Sequence, residues 1–309
     1  MSLSEYEYFG VSTSGGDGLK EGVYLDVPFE EYKAIDALNN SSLSHLARSY
    51  KHFRHQQETR QEKQSAALRF GTLAHAGVLE PERLLELYCI LPDFTEGIDS
   101  KNPRATKEYK TKVKAWEQKH KHLTAITQQE YDRMLGVSHA IHSDDIARAA
   151  FQDGKAEVTL IWRDPLLGRM CKARPDYVKA DSMMMSDLKT TRDAADFERA
   201  IANYGYDRQA AFYLRGAQIL GYDIRSFFFV AVETEPPYGV RAAPLDKDTL
   251  EDGRKQIEQL LAELAECELK DTQAGYKHPD TFAKPKWAFK FKTAAEQRQM
   301  SVGGVLVDI

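Results

Sequence analysis

The residues best placed to do chemistry are Asp176, Asp187 and Lys189, all within residues 171–191. This stretch reads as two adjacent strands. The first ends over 178–180, a turn follows at Asp181-Ser182, and the second strand begins at Met183-Met184-Met185. Side chains alternate along a strand, so Asp187 and Lys189 share one face and Leu188 turns to the other. Antiparallel pairing would set Asp176 beside Asp187. Two neighbouring carboxylates repel unless a cation lies between them, and an oxygen-rich pocket of this kind suits a hard ion such as Mg²⁺ or Mn²⁺. A lysine two residues on could orient a water or a phosphate oxygen. Asp-x-Lys alone is more often a surface ion pair. The apolar Met run before Asp187 argues instead for a buried strand, where unpaired charge is costly.

Other residues could join this pair. His75 sits inside a buried helical pattern, where a lone histidine is usually a hydrogen-bonded core residue. Glu157 opens a strong strand signal and has two readings, into the same site or toward solvent. Gln209 and Tyr213 are four residues apart and share a helix face, so they could hydrogen-bond a substrate or brace a catalytic group; core packing accounts for Tyr213 equally well. Ser41, Ser42 and Ser44 stand at a helix start, where they cap the helix or, as the sharper alternative, hold a phosphate.

The elements that must position these residues follow from the pattern. A first helix carries Leu43, Leu46, Ala47 and Tyr50, and residues 51–66 are expected to be helical. The run from Ala66 reads as a buried helix ending before Pro81, with Gly71, Ala74 and Gly77 allowing close packing. Residues 101–122 carry eight lysines and arginines against Glu108 and Glu117, by default a solvated face and, in a nucleic-acid enzyme, a guide for the phosphate backbone. Residues 128–150 read as one further helix. Strands are expected over 157–162, 169–178 and 183–189, then a helix interrupted at Tyr204-Gly205-Tyr206, a buried strand over 227–232 returning by a crossover, and an amphipathic helix over 246–270. The expected domain plan is a tail over 1–22, one domain over 23–270 with a helical insertion at about 82–150, and an extension over 271–309. In that extension, alternating basic and aromatic residues at 284–292 suit a subunit contact.

Composition narrows the class. The chain has 309 residues, 42% hydrophobic and 29% charged, enough for a sizeable core. A net charge of −5 gives no global attraction to nucleic acid, so binding would need local basic patches. Three scattered cysteines cannot supply a four-thiolate zinc or iron–sulfur site. No signal peptide or membrane-length apolar run is seen, which leads us to expect a cytoplasmic protein with no membrane partner.

In order, His75, Glu157, Arg174-Pro175-Asp176, Asp187-Leu188-Lys189-Thr190 and Gln209-x-x-x-Tyr213 resemble the PD-(D/E)XK nuclease superfamily. The resemblance is nearest to its RecB-like branch and, within that, to the exonuclease VIII (RecE) C-terminal nuclease of phages and prophages. It covers roughly residues 38–235, including Gly71-Thr72-Leu73-Ala74-His75 and Leu79-Glu80-Pro81. It implies an α/β (α+β) restriction-endonuclease-like core, a central mixed sheet flanked by helices. It also implies metal ligation by His75, Asp176, Asp187 and the backbone carbonyl of Leu188, with Lys189 as the catalytic lysine. Gln209 and Tyr213 would lie beside the site with Glu157, and Arg174, Thr190 and the Ser41, Ser42 and Ser44 helix start would contact phosphate. The implied activity is 5′→3′ exonuclease action on ends of linear double-stranded DNA with one or two Mg²⁺ or Mn²⁺ ions. The implied partners are a RecT-like single-strand annealing protein and further copies of the chain in a ring-shaped tetramer, in a bacterial cell. A structure-specific or restriction-like endonuclease, or a non-catalytic DNA-binding module, are the alternatives.

Overall fold

The structure is a computed structural model that describes residues 20–59, 65–179, 181–270, 275–276, 299–302 and 305–308. The expected tail, apart from residues 20–22, and the basic-aromatic stretch at 284–292 lie outside the described residues.

The chain begins with β1 (Gly22–Tyr24), α1 (Phe29–Ala34), α2 (Asn40–Leu46) and α3 (Tyr50–Thr59). The single helix expected over 43–50 is thus two. Asn39 caps α2 by accepting the Ser42 N–H at 2.9 Å, and the Ser49 hydroxyl takes the His52 N–H, opening α3. Next comes α4 (Ala66–Leu79), capped by Ser65 and ended before Pro81. A small excursion follows: α5 (Leu84–Leu87), β2 (Tyr88–Ile90), α6 (Lys107–Lys119) and β3 (Thr124–Ile126). Strands β2 and β3 pair parallel and close its base.

The chain rejoins the main body through α7 (Gln128–Ser143) and α8 (Asp145–Ala150). A capping box of Thr127 and Glu130 starts α7, and Asp144 breaks the expected single helix by capping α8 with its own carboxylate. Gly77 of α4 lies directly over the Met134 side chain of α7, where a β-carbon would collide with its sulfur, so the two helices approach closely.

The strand meander is less regular than the sequence suggests. It consists of β4 (Lys155–Ala156), β5 (Thr159–Arg163), β6 (Met170–Ala173), β7 (Tyr177–Lys179) and β8 (Met184–Thr191). The strand expected at 157–162 starts later, at Thr159, and the one expected at 169–178 is broken in two. Glu157 has φ of 52°, and Arg174-Pro175-Asp176 separates β6 from β7. Proline cannot donate to a ladder, so the break falls there. As a result β5 and β6 join β1 in one sheet (β1-β5-β6), while β7 and β4 join a second.

From β8 the chain passes through α9 (Phe197–Tyr204) and α10 (Tyr206–Ile219) to β9 (Ser226–Glu233), which pairs parallel with β8 as the expected crossover. Gly205 joins the two helices at φ 66°, ψ 44°, a left-handed conformation that costs glycine nothing. Strand β10 (Val240–Pro244) completes a mixed five-stranded sheet, β10-β9-β8-β7-β4, and α11 (Lys247–Leu269) ends this unit.

Helices cover both faces of the mixed sheet. Met185, Phe227, Phe229 and Ala231 pack with α10 and α11, while Leu188, Val230 and Val232 pack with α4, α7 and α8. This alternation is the period-two pattern of a strand buried on both faces. Residues 275–309 form a separate unit, in which β11 (Gln299–Val302) and β12 (Val305–Asp308) make an antiparallel hairpin. Among the described residues no helix is long and apolar enough to cross a membrane.

Candidate metal centre

The register of the sheet brings the aspartates together. Tyr177 of β7 faces Ser186 of β8 in antiparallel pairing, so Asp176, one residue back, comes opposite Asp187. Asp176 lies outside the strand and gives its side chain to the ladder instead: its Oδ2 accepts the Leu188 N–H at 2.7 Å. In a strand the N–H and C=O of one residue point to the same edge. The Leu188 carbonyl therefore also points to the edge of β8 that β7 leaves open.

Other elements reach this open edge from both sides of the sheet. His75, on α4, puts Nδ1 3.4 Å from Asp176 Oδ2. Glu157, at the kink before β5, is tied to the same corner because its N–H donates to the Asp176 carbonyl at 2.9 Å. His75, Glu157 and Asp176 each offer a ligand atom, and these atoms lie within 4.8 Å of one another. On the opposite face Gln209 of α10 donates to Asp187 Oδ1 at 2.7 Å and contacts the Tyr213 hydroxyl at 3.3 Å. The Lys189 ammonium lies 2.5 Å from Asp187 Oδ2 and 4.6 Å from the centre of the Tyr206 ring. Sequence reasoning missed Tyr206, because its position depends on the αL turn at Gly205 that no periodicity records.

Several other expected residues are committed within the protein. The Arg174 side chain is 8% exposed; it pairs with the Glu157 carboxylate, donates to the Val27 carbonyl at 2.7 Å and stacks 5.6 Å from the Tyr32 ring centre. Ser42 is buried and its hydroxyl donates to Asn39, while the Ser44 hydroxyl donates to the Asn40 carbonyl at 3.0 Å. Ser41 is exposed. Thr190 is half-buried on β8 and faces Gly71 of α4.

Burial and mutual repulsion set the charge states. Burial pushes the Asp187 carboxyl up, Asp176 pushes it further, and Lys189 only partly offsets them, leaving it at about 6. Burial also raises Asp176, but the imidazole of His75, the Lys189 ammonium and the Leu188 N–H outweigh it and hold the carboxyl below its ordinary range. Glu157 is raised by burial and by Asp176, against the pull of Arg174. Burial alone would lower His75. The carboxylates of Asp176, Glu157 and Asp187 reverse that and lift it to about 9. Burial likewise works against the charge on Lys189, and Asp187 and Asp176 more than restore it.

The donor set fits a hard divalent cation, with carboxylate oxygens, one imidazole nitrogen and a strand-edge carbonyl. Asp187 Oδ2 supplies a further sign. It is buried and, among the described residues, its close polar contact is the Lys189 ammonium.

Comparison with known proteins bears on the family and the fold. No curated protein sequence matches the chain. A crystal structure of a Eubacterium rectale protein, described as a "putative exonuclease", matches with a TM-score of 0.53 at 14% identity, covering 83% of this chain and 97% of that one. The structure of SSO0001 aligns with a TM-score of 0.26 at 14% identity over 62% of this chain and 84% of its own, too distant to carry an argument. The likeness to the first supports the fold alone. The sequence profile of the "PDDEXK-like domain of unknown function (DUF3799)" matches residues 39–278, and the chain belongs to this PDDEXK-like family.

Proposed function

We propose that the chain is a divalent-metal-dependent exodeoxyribonuclease that acts on ends of linear duplex DNA in the 5′→3′ direction and leaves 3′ single-stranded tails. The observation that carries this reading is the meeting of His75, Glu157 and Asp176 within 4.8 Å, beside the buried Asp187–Lys189 pair. The family and the exonuclease name of the E. rectale protein support the same reading.

In this reading His75, Asp176, Asp187 and the Leu188 carbonyl hold Mg²⁺ or Mn²⁺, joined by Glu157, whose carboxylate lies with the first two. A bound ion supplies Lewis acidity and lowers the pKa of its water. The chain's own groups do the rest. Lys189 stays charged and stabilises negative charge developing on the phosphate. Gln209 orients Asp187, Tyr213 braces Gln209, and Tyr206 limits the positions open to the Lys189 ammonium. Arg174 acts as a positioning residue for Glu157, and Ser41 and Thr190 remain as phosphate contacts. Assembly of several copies into a ring and hand-off of the tail to an annealing protein belong to the same proposal.

A time course on end-labelled linear duplex with Mg²⁺, run beside a closed circle, tests the reading. Nucleotides released from the linear substrate only, with the 5′ label lost first, are expected. Cleavage of the circle would favour the restriction-like alternative, and no Mg²⁺-dependent hydrolysis of either would remove the enzyme reading.

A further inference from the structure

The excursion between α4 and α7 leaves the main body just beyond His75. That residue lies four positions before the end of α4, ~6 Å along the helix axis. Within it, α6 buries no residue, and one face is half-buried. That face carries the half-buried Tyr109, Val113, Trp116 and His120, with Phe94 meeting Tyr109 and Trp116 edge-on at 6.1 and 5.9 Å. The opposite face presents Lys107, Lys110 and Lys114 beside Thr111, Ala115 and Gln118, all exposed.

The charge on this face is uncompensated. Lys112, on the flank, pairs with Glu108 at 3.0 Å, whereas among the described residues no acid lies within ion-pair distance of Lys107, Lys110 or Lys114. Three like charges on one helix repel and weaken it by a few tenths of a kcal/mol per pair. The chain as a whole is acidic at −5, so this stripe stands against the general charge. Seven residues of helix advance ~10 Å. A DNA strand places a phosphate about every 3.4 Å of axis, so the stripe matches about three phosphates.

We propose that the outer face of α6 is a docking surface for the phosphate backbone of duplex DNA. The inference rests on the nuclease reading for its ligand and adds the surface that holds the duplex. A backbone surface reads no sequence; its signature is the number of counterions released on binding.

The test is fluorescence anisotropy of the full chain with a labelled duplex in Ca²⁺ without Mg²⁺, over a series of salt concentrations. The variants are Lys107→Gln/Lys110→Gln/Lys114→Gln and a control of equal charge change, Lys51→Gln/Lys155→Gln/Lys247→Gln. Loss of three phosphate contacts lowers the slope of log K against log salt by about 2.7. The α6 variant should show that loss for any duplex sequence, and the control should stay near wild type. Equal slopes for the α6 variant and wild type, or equal losses in variant and control, would overturn the proposal. Should the triple variant fail to fold by circular dichroism, Lys110→Glu alone should still lower affinity, and unchanged affinity would count against the surface. The nuclease reading is judged separately: wild type that binds duplex with the expected slope but releases no nucleotides in Mg²⁺ defeats that reading and leaves the surface in place.

Discussion

At the scale of single residues, the site depends on charges that need one another. Arg174 shows this. Removing it leaves Glu157 beside Asp176 without the guanidinium that offsets their repulsion. Breaking a buried pair from one side typically costs about 3–5 kcal/mol. Arg174→Ala is therefore expected to lower the thermal midpoint by several degrees and to weaken Mn²⁺ binding, with Arg174→Lys recovering only part of it. Proton linkage gives a second expectation. In the metal-free protein His75 holds its proton up to about pH 9 and Asp187 up to about 6, both above their ordinary values. A metal must displace those protons, so its affinity rises with pH, through 6 as Asp187 ionises and on toward 9 as His75 does. Between those limits one proton is released and affinity should climb about tenfold per pH unit. For the metal-free fold the sign is opposite: both raised groups bind more protons folded than unfolded. Stability therefore falls as pH rises from about 4 to 6 for Asp187 and from about 6.5 to 9 for His75. Denaturant titrations at pH 4, 6 and 9 without metal check both windows.

At the scale of elements, the placement of Gln209 depends on the turn between α9 and α10. Gly205 has φ of 66°, and a β-branched residue there is strained by roughly 1–2 kcal/mol. Gly205→Val should lower stability by about that amount. It should lower nucleotide release more, because α10 also sets Tyr206 and Gln209 against Lys189 and Asp187. The contrast is Trp162→Ala, deep under α10 and 4.9 Å from the Phe212 ring. That change should cost about 3–5 kcal/mol, with activity of the remaining folded protein largely kept. The same scale shows what sequence could and could not reveal. The Asp176–Asp187 pairing was legible because a short turn fixes antiparallel register, and Gln209 with Tyr213 because helical spacing is regular. Glu157 was not: strand alternation predicts its direction only in an unbroken strand, and here the strand kinks at Glu157 itself. Arg174 reads from the sequence as a phosphate contact because nothing local announces that Val27, Tyr32 and Glu157 surround it. Strands β2 and β3, three residues each and held by pairing between distant segments, carry no periodicity to read.

At the scale of the whole molecule, the sheets and helices converge on one edge of one strand. β7 stops short of the end of β8, α4 and α10 cover opposite faces, and the strand corner at Glu157 closes the remaining side. The proposed ligands come from segments 75, 157, 176 and 187, so only the folded chain can assemble them. A divalent ion that binds the folded state alone should therefore raise the thermal midpoint, with stabilisation growing by about 1.4 kcal/mol for each tenfold excess over its Kd. The same convergence makes electron paramagnetic resonance titration of Mn²⁺ the most direct measurement. The wild-type chain is expected to bind the ion at pH 8, with His75→Ala, Asp176→Asn and Asp187→Asn each weakening it at least tenfold while retaining the far-UV spectrum of the wild type. Mn²⁺ affinity unchanged across all three folded variants would contradict a shared metal centre at this edge.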